Sequence, residues 1–510
     1  MKKPISFGSI GFELVASLDE AKAAPASGDP FRICVLSDFT GRVSRGIRES
    51  LAARKTVPVD RDSIDEVIVK IKPRVALDVL DQKIDVSFDS LDSFHPDELF
   101  SRIELFRSLK DTRRKLGDPR THNAALKELR VLIGEEEGQE TTRASVQERP
   151  EAPQGNILDR IVSDTKEGTL EKSGRTGRGD LADFVDAIVK PYRVAAKDPS
   201  EDRIREAFDA YISLLMAEVL HSARMQEIEA AWRGLHFLVS RVETDEDLEI
   251  SILDISKEEF SKDLLTADDL GSTNIYRLFV KEPLMSPEGK PWAVIVGDYQ
   301  FDHDDVEVLG RMARIASAAG APFIAGAHPR LFGCASLADT PDSDQWNFRP
   351  GLEVKETWEA LRALPEAVHL GLAAPRFLLR LPYGASTDPV KVFDFEETAG
   401  KMAHEDYLWG NPAFACAYLL SAAFSRKGWS MMPGVISDID DLPQYVTVKD
   451  GEKSIIPTAE VLLTDKALEA ILDAGVMPLA TIRNTDTARL VRFQSIAEPP
   501  TGLKGRWGSS

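Results

Sequence analysis

Trp292–Ala327 reads WAVIVGDYQFDHDDVEVLGRMARIASAAGAPFIAGA, and its pattern decides the fold class. The continuous apolar run Trp292–Val296 stops at Gly297-Asp298, and a second run, Pro322–Ala327, follows. Runs of this kind suit strands buried on both faces. Between them, Asp304–Ala319 is amphipathic with a helical period. The order strand, helix, strand predicts parallel neighbours joined by a right-handed crossover, which is an α/β architecture.

The pattern continues upstream. Leu248, Ile250 and Ile252 alternate with Glu249 and Ser251, as in a half-buried strand, and Ala210–Val242 predicts a long helix with Met225, Ile228, Trp232, Leu235 and Val239 three or four apart. Nearer the N-terminus, Phe31–Leu36 (FRICVL) predicts a buried strand ending in a turn at Ser37–Gly41. Ile84–Phe88 alternates, and Asp97–Leu116 places Leu99, Ile103, Phe106 and Leu109 on one helical face. This makes a small α+β unit. The stretch Gly134–Gly155, GEEEGQETTRASVQERPEAPQG, has too few apolar residues to order itself. It reads as a flexible acidic linker with a span of about 25 Å. Lys166–Asp180, with four glycines, reads as a further loop. The expected organisation is a small α+β module over 1–133, a linker over 134–155, a larger α/β module over 156–497 and a polar tail over 498–510.

Composition narrows the function. The 510 residues include 84 acidic and 63 basic side chains, a formal charge of −21. This argues against nucleic acid, whose counterions are released by Lys and Arg, and against anionic membrane surfaces. Self-association then works against repulsion and should strengthen with salt. Cys34, Cys334 and Cys416 are widely separated in apolar surroundings and read as core residues of a reducing compartment. No signal peptide and no uninterrupted membrane-length apolar run is present, so the expected location is cytoplasmic, without membrane insertion.

One enzyme reading arises at the strand ends. Asp298, Asp302, His303, Asp304 and Asp305 follow one strand and His328 the next, where open α/β sheets bind ligands. Such groups could hold a divalent metal and activate water for hydrolysis. The competing reading makes Asp298 a turn residue and Asp304 and Asp305 helix-start residues. It is favoured because no second His or Cys stands at a ligand-like interval. Gly174–Gly179 lacks the Gly-Lys-Ser/Thr ending of a phosphate loop, Ser386 lacks the second glycine of a nucleophile elbow, and His236 reads as a core or rim histidine. No catalytic, metal or cofactor-binding residue is assigned, and no cofactor is expected. Phe377–Tyr383 and Tyr407–Pro412 place aromatics beside Gly and Pro, as buried loops or interface surfaces do.

The same stretches carry a resemblance. Glu229–Val239 (EAAWRGLHFLV), Val296–His303 (VGDYQFDH), Ala321–Ala325 (APFIA), Pro375–Gly384 (PRFLLRLPYG), Tyr407–Asn411 (YLWGN) and Asn484–Asp486 (NTD) resemble, in order, signatures of the type VI secretion sheath large subunit. Phe31–Arg42 (FRICVLSDFTGR), Pro58–Asp62 (PVDRD) and Phe88–Pro96 (FDSLDSFHP) resemble the sheath small subunit. The chain thus looks like small and large subunits joined, the large one shortened at its C-terminal end, since Glu498–Ser510 offers no counterpart to the family's inner, tube-facing region. The resemblance implies a non-enzymatic protomer that self-assembles into a helical sheath around an inner tube protein, meets baseplate components and drives effector injection by contraction. A non-contracting cap, adaptor or other accessory is the alternative that the shortened end implies. The resemblance also makes Asn156–Ser163 (NILDRIVS) the helix gripped by an AAA+ unfoldase that recycles contracted sheath, through Ile157, Leu158, Asp159, Ile161 and Val162.

Overall fold

The computed structural model describes residues 5–10, 28–79, 82–116, 201–287, 289–346, 351–399, 402–449 and 452–507, with residues 25 and 121 besides. The strands are β1 (Phe31–Ser37), β2 (Val57–Pro58), β3 (Arg74–Val79), β4 (Gln82–Ser87), β5 (Leu248–Asp254), β6 (Val294–Phe301), β7 (Phe323–Ala327), β8 (Leu370–Ala374), β9 (Phe377–Leu378), β10 (Trp409–Gly410), β11 (Asp438–Ile439), β12 (Tyr445–Lys449), β13 (Glu452–Ile456), β14 (Val476–Thr481) and β15 (Ala488–Leu490). The longer helices are α1 (Ile64–Ile71), α2 (Pro96–Arg102), α3 (Glu104–Leu116), α4 (Glu201–His221), α5 (Ala223–Arg241), α6 (Lys257–Leu265), α7 (Val306–Ala319), α8 (Leu352–Arg362), α9 (Pro412–Lys427) and α10 (Asp465–Asp473).

Two compact units are present. One comprises Met1–Leu77, Asp85–Ile103 and Leu215–Ser510, the other Asp78–Ile84 and Glu104–Leu214. In the second, Arg113 pairs with both carboxylate oxygens of Asp209 at 2.5 and 2.7 Å, joining α3 to α4. The first is built on a nine-stranded sheet of order β11-β15-β14-β8-β7-β6-β1-β5-β2. The predicted α/β architecture is present: β14, β8, β7, β6, β1 and β5 run parallel to one another, and β15 and β2 pair antiparallel at the two ends of that run.

Strand β1 is an interior strand of this sheet, between β6 and β5. Phe31–Ser37 pairs residue for residue with Leu248–Asp254, and Ile33–Leu36 pairs with Val294–Gly297 on the other side. Phe31, Ile33, Cys34, Val35 and Leu36 are fully buried. That explains why Ile33–Leu36 is a continuous apolar run, since a strand covered on both faces has no polar side, while the half-buried Arg32 ahead of it pairs with Glu249 at 2.8 Å. Residues before and after the acidic stretch 134–155 therefore share one sheet and one core.

The two faces separate by alternation. Ile295, Phe323, Ala325 and Leu372 join Leu309, Met312 and Ala313 of α7 in one apolar cluster. Val294, Val296 and Ile324 point the other way, and α9 packs on β6, β7 and β8 there, with α5 against it. All three cysteines are buried and unpaired.

Five features differ from expectation. Strand β6 continues through Gly297-Asp298 to Phe301, because a register shift against β7 between Gly297 and Gln300 absorbs the irregularity instead of ending the strand. The long helix is two, α4 and α5, divided at Ser222, whose extended backbone (ψ 133°) lets the buried Met216, Val219 and Leu220 and the buried Met225 and Ile228 each face the core. Asp97–Leu116 is likewise two helices, parted at the buried and extended Ile103. A short 3₁₀ turn, His303–Asp305, precedes α7. Residues 498–507 dock on the sheet body, where Leu503 and Trp507 are buried and the Lys504 amide donates to the Val368 carbonyl at 2.8 Å.

Candidate functional site

The residues of the hydrolase reading are each committed elsewhere. Asp298 sits within β6 and accepts the Ser37 hydroxyl of β1 at 2.8 Å. Burial raises its carboxyl to about 6, against hydrogen bonds from Ser37 and Asn411. Asp302 accepts the Asp304 amide at 2.8 Å and pairs with Arg330, so it caps the turn into α7. His303 packs edge-on against Trp358, and His328 accepts the Arg330 amide through Nδ1 at 3.2 Å. Asp305 pairs with Lys257 at 2.8 Å. His236 is exposed on α5, at the rim rather than in the core.

Among the described residues, the His, Cys, Asp and Glu side chains that do gather within metal-ligand reach are His404, Glu405 and Glu460. Arg376 already occupies that space. Its guanidinium bonds Glu405 at 2.9 and 3.0 Å and Glu460 at 2.5 and 3.1 Å, while His404 Nε2 meets Glu460 at 3.1 Å. Burial alone would raise the Glu460 carboxyl; His404 and Arg376 hold it instead at about 2. A cation there would have to displace a fully engaged guanidinium, so the cluster reads as an ionic clasp.

The signature stretches meet in the packing. Phe39 and Trp232 pack edge to face at 5.0 Å, and the Trp232 indole donates to the Phe39 carbonyl at 3.0 Å. Asp38 accepts the amides of Arg42 and Val43 at 2.7 and 2.9 Å, and Arg42 reaches Asp254 at the end of β5 at 2.8 Å. Gly41 (φ 68°) passes so close to the Arg74 carbonyl that a Cβ would lie 2.1 Å from its oxygen.

A second junction is ionic and buried. Arg380 bonds Glu229 of α5 at 2.9 Å and Glu397 at 2.8 and 3.2 Å, His221 approaches Glu397 at 3.1 Å, and Arg233 joins Glu229 to the Tyr383 hydroxyl. Burial would raise the Glu397 carboxyl, but Arg380, His221 and the Tyr383 amide hold it at about 2. The aromatic stretches at Phe377–Tyr383 and Tyr407–Pro412 are buried loops, paired through β9 and β10. Asn411 caps α9 at the Ala413 amide and donates to the Tyr299 carbonyl at 2.9 Å. These residues hold a fold together and present no convergent reactive group.

What the sequence reading missed lies on the surface. Strands β12 and β13 form a separate two-stranded hairpin. Tyr445 and Ile456 anchor it on Leu378, Tyr407 and Trp409, while the cross-strand pair Val446 and Ile455 is 46% and 41% exposed. The signal was available: Asp450-Gly451 between Tyr445–Lys449 and Glu452–Ile456 is a two-residue hairpin pattern. Ile157, Leu158, Asp159, Ile161 and Val162 lie outside the described residues.

Two family models match the chain. VipB (EvpB/VC_A0108, tail sheath N-terminal domain) covers residues 202–497, and T6SS_VipA (type VI secretion system, VipA, VC_A0107 or Hcp2) covers residues 21–149. The type VI secretion system sheath protein TssC1 of Pseudomonas aeruginosa is 36% identical over 308 residues, 59% of this chain and 62% of that protein. Sheath protein TssB1 of the same organism is 27% identical over 100 residues, 18% of this chain and 58% of that protein. The chain spans less than two thirds of either relative. With more than half of its length matched, and with its buried signatures meeting as described, the chain belongs to the VipB tail sheath family of type VI secretion systems and carries a VipA-like segment ahead of the VipB-like one.

Proposed function

We propose that this chain is a structural protomer of a type VI secretion contractile sheath, which polymerises around an inner tube on a baseplate in the cytoplasm and drives the tube outward. The carrying observation is the β12–β13 hairpin. The central sheet ends in two-residue strands at both edges, β11 and the Pro58-bearing β2, which are poor templates for pairing. The hairpin instead offers two outer edges and an exposed apolar pair, the features by which one protomer adds a strand to the next. A contact of that kind joins different surfaces and propagates into a helix. No step of this reading requires catalysis.

Negative-stain microscopy of the purified chain, with and without the inner tube protein, tests it. Tubes or rings are expected, more abundant at high salt because the −21 charge is screened. The double substitution Val446→Lys and Ile455→Lys should leave discrete, folded particles with an unchanged melting temperature. Polymers from the doubly substituted chain would remove the hairpin from the contact. Discrete particles from the unsubstituted chain under every condition would replace the sheath with an accessory role. Within the same proposal, Ile157, Leu158, Asp159, Ile161 and Val162 form the handle for an AAA+ unfoldase. An Ile161→Asp polymer dismantled at the normal rate would withdraw that assignment.

A further inference from the structure

Residues Ile5–Ile10 lie in a groove between α7 and the turn Leu264–Leu270, and the groove is shaped to them. Gly310 stands in the middle of α7, where glycine is a poor helix former. A Cβ there would lie 2.1 Å from Phe7 Cδ1, so the bare backbone is what admits the ring. Arg311, 3% exposed, donates to the Ser6 carbonyl at 2.9 Å and to the Leu264 and Ala267 carbonyls at 3.0 and 2.6 Å, with Glu307 at 2.9 Å as counter-ion. Arg314 donates to the Gly8 carbonyl.

The opposite wall reads main chain. The Ser9 amide donates to the Asp268 carbonyl at 2.8 Å, and the Leu270 amide donates to the Ser9 carbonyl at 2.9 Å, which makes a parallel bridge to Asp269. Gly8 is left-handed (φ 69°), and a Cβ on it would lie 2.9 Å from Leu270 Cγ. A notch for one aromatic ring, a position only glycine fits and three bonded carbonyls are how proteins recognise extended peptides.

We propose that this groove is a peptide-docking site selective for an extended Ser-Phe-Gly-Ser segment, and that its occupant is the chain's own Ser6–Ser9, which latches the N-terminus onto α7. The proposal is independent of the sheath reading. Only twenty residues separate Ile10 from Phe31 in the sequence, a spacing at which a tethered segment has an effective concentration of about 1 mM.

The test uses the full chain and a fluorescein-labelled synthetic peptide of residues 3–12. Phe7→Asp should vacate the groove and let the peptide bind saturably, as read by polarisation, while the unsubstituted chain binds it about 100-fold more weakly because its own segment competes. A Gly8→Val peptide should not bind the vacated chain. A circular dichroism melt checks that Phe7→Asp is folded; if it is not, the Gly8→Val full chain vacates the groove from the other wall and takes its place. Absence of saturable binding to a folded vacated chain would overturn the proposal. So would equal binding to both chains, or binding of the Gly8→Val peptide.

Discussion

Asp298 shows what a single residue contributes. It was visible in the sequence as an acid at a strand end, the place where ligands gather, but its partner Ser37 lies 261 residues away in the chain. Only the insertion of β1 beside β6 brings the two together. Burial raises the folded Asp298 carboxyl to about 6, while in the unfolded chain it titrates near ~3.9. Between those values the folded state holds a proton that the unfolded state releases, so stability falls as pH rises through that window. Asn cannot ionise. Asp298→Asn should therefore gain stability relative to the unsubstituted chain by on the order of 2 kcal/mol between about pH 4 and about pH 7.5. Urea midpoints at both pH values measure this, and parallel profiles for the two chains would refute it. A metal-dependent hydrolase would lose its activity on the same change. Glu397 and Glu460 shift the opposite way because each has a guanidinium beside it, and neither arginine partner could be paired with its acid from sequence spacing.

Elements were legible where one period dominates and illegible where tertiary contacts break it. The stripe Met225, Ile228, Trp232, Leu235, Val239 is the buried face of α5. The break at Ser222 was hidden, because apolar residues continue on both sides and only the direction of the chain changes. Glycine in α5 carries a further element-scale consequence. At Gly234 a Cβ would lie 2.5 Å from Phe414 Cε2, so α5 and α9 approach as closely as they do because position 234 has no side chain. Gly234→Ala gains helix propensity worth ~1 kcal/mol, but forcing a methyl group into a packed contact costs ~1–3 kcal/mol. The second effect should win, with a net loss of up to about 2 kcal/mol in urea unfolding. An unchanged or raised midpoint would mean that α9 moves aside freely, and that the close approach is not a constraint on the fold.

At the scale of the molecule, the α/β class followed from residues 292–327, and the VipA-like and VipB-like segments followed from their signatures. How the segments combine did not, since an apolar run such as Ile33–Leu36 says that a strand is covered on both faces but not by what. In the structure the cover comes from residues more than two hundred positions further along the chain: β1 pairs over seven residues with β5 and over four with β6. Its buried Phe31, Ile33, Val35 and Leu36 are each worth ~1.5–3 kcal/mol on burial. Removing β1 would open a gap inside the sheet and expose the edges of β6 and β5 on either side of it. A chain carrying a protease site within residues 134–155 should therefore stay whole after cutting. Both pieces are expected to elute together in native buffer and to part only in denaturant, whereas residues 156–510 expressed alone should aggregate. Co-expression of 1–133 with 156–510 should recover soluble protein. Separation of the cut pieces in native buffer would show that β1 leaves the sheet readily, and that the two segments act as independent domains.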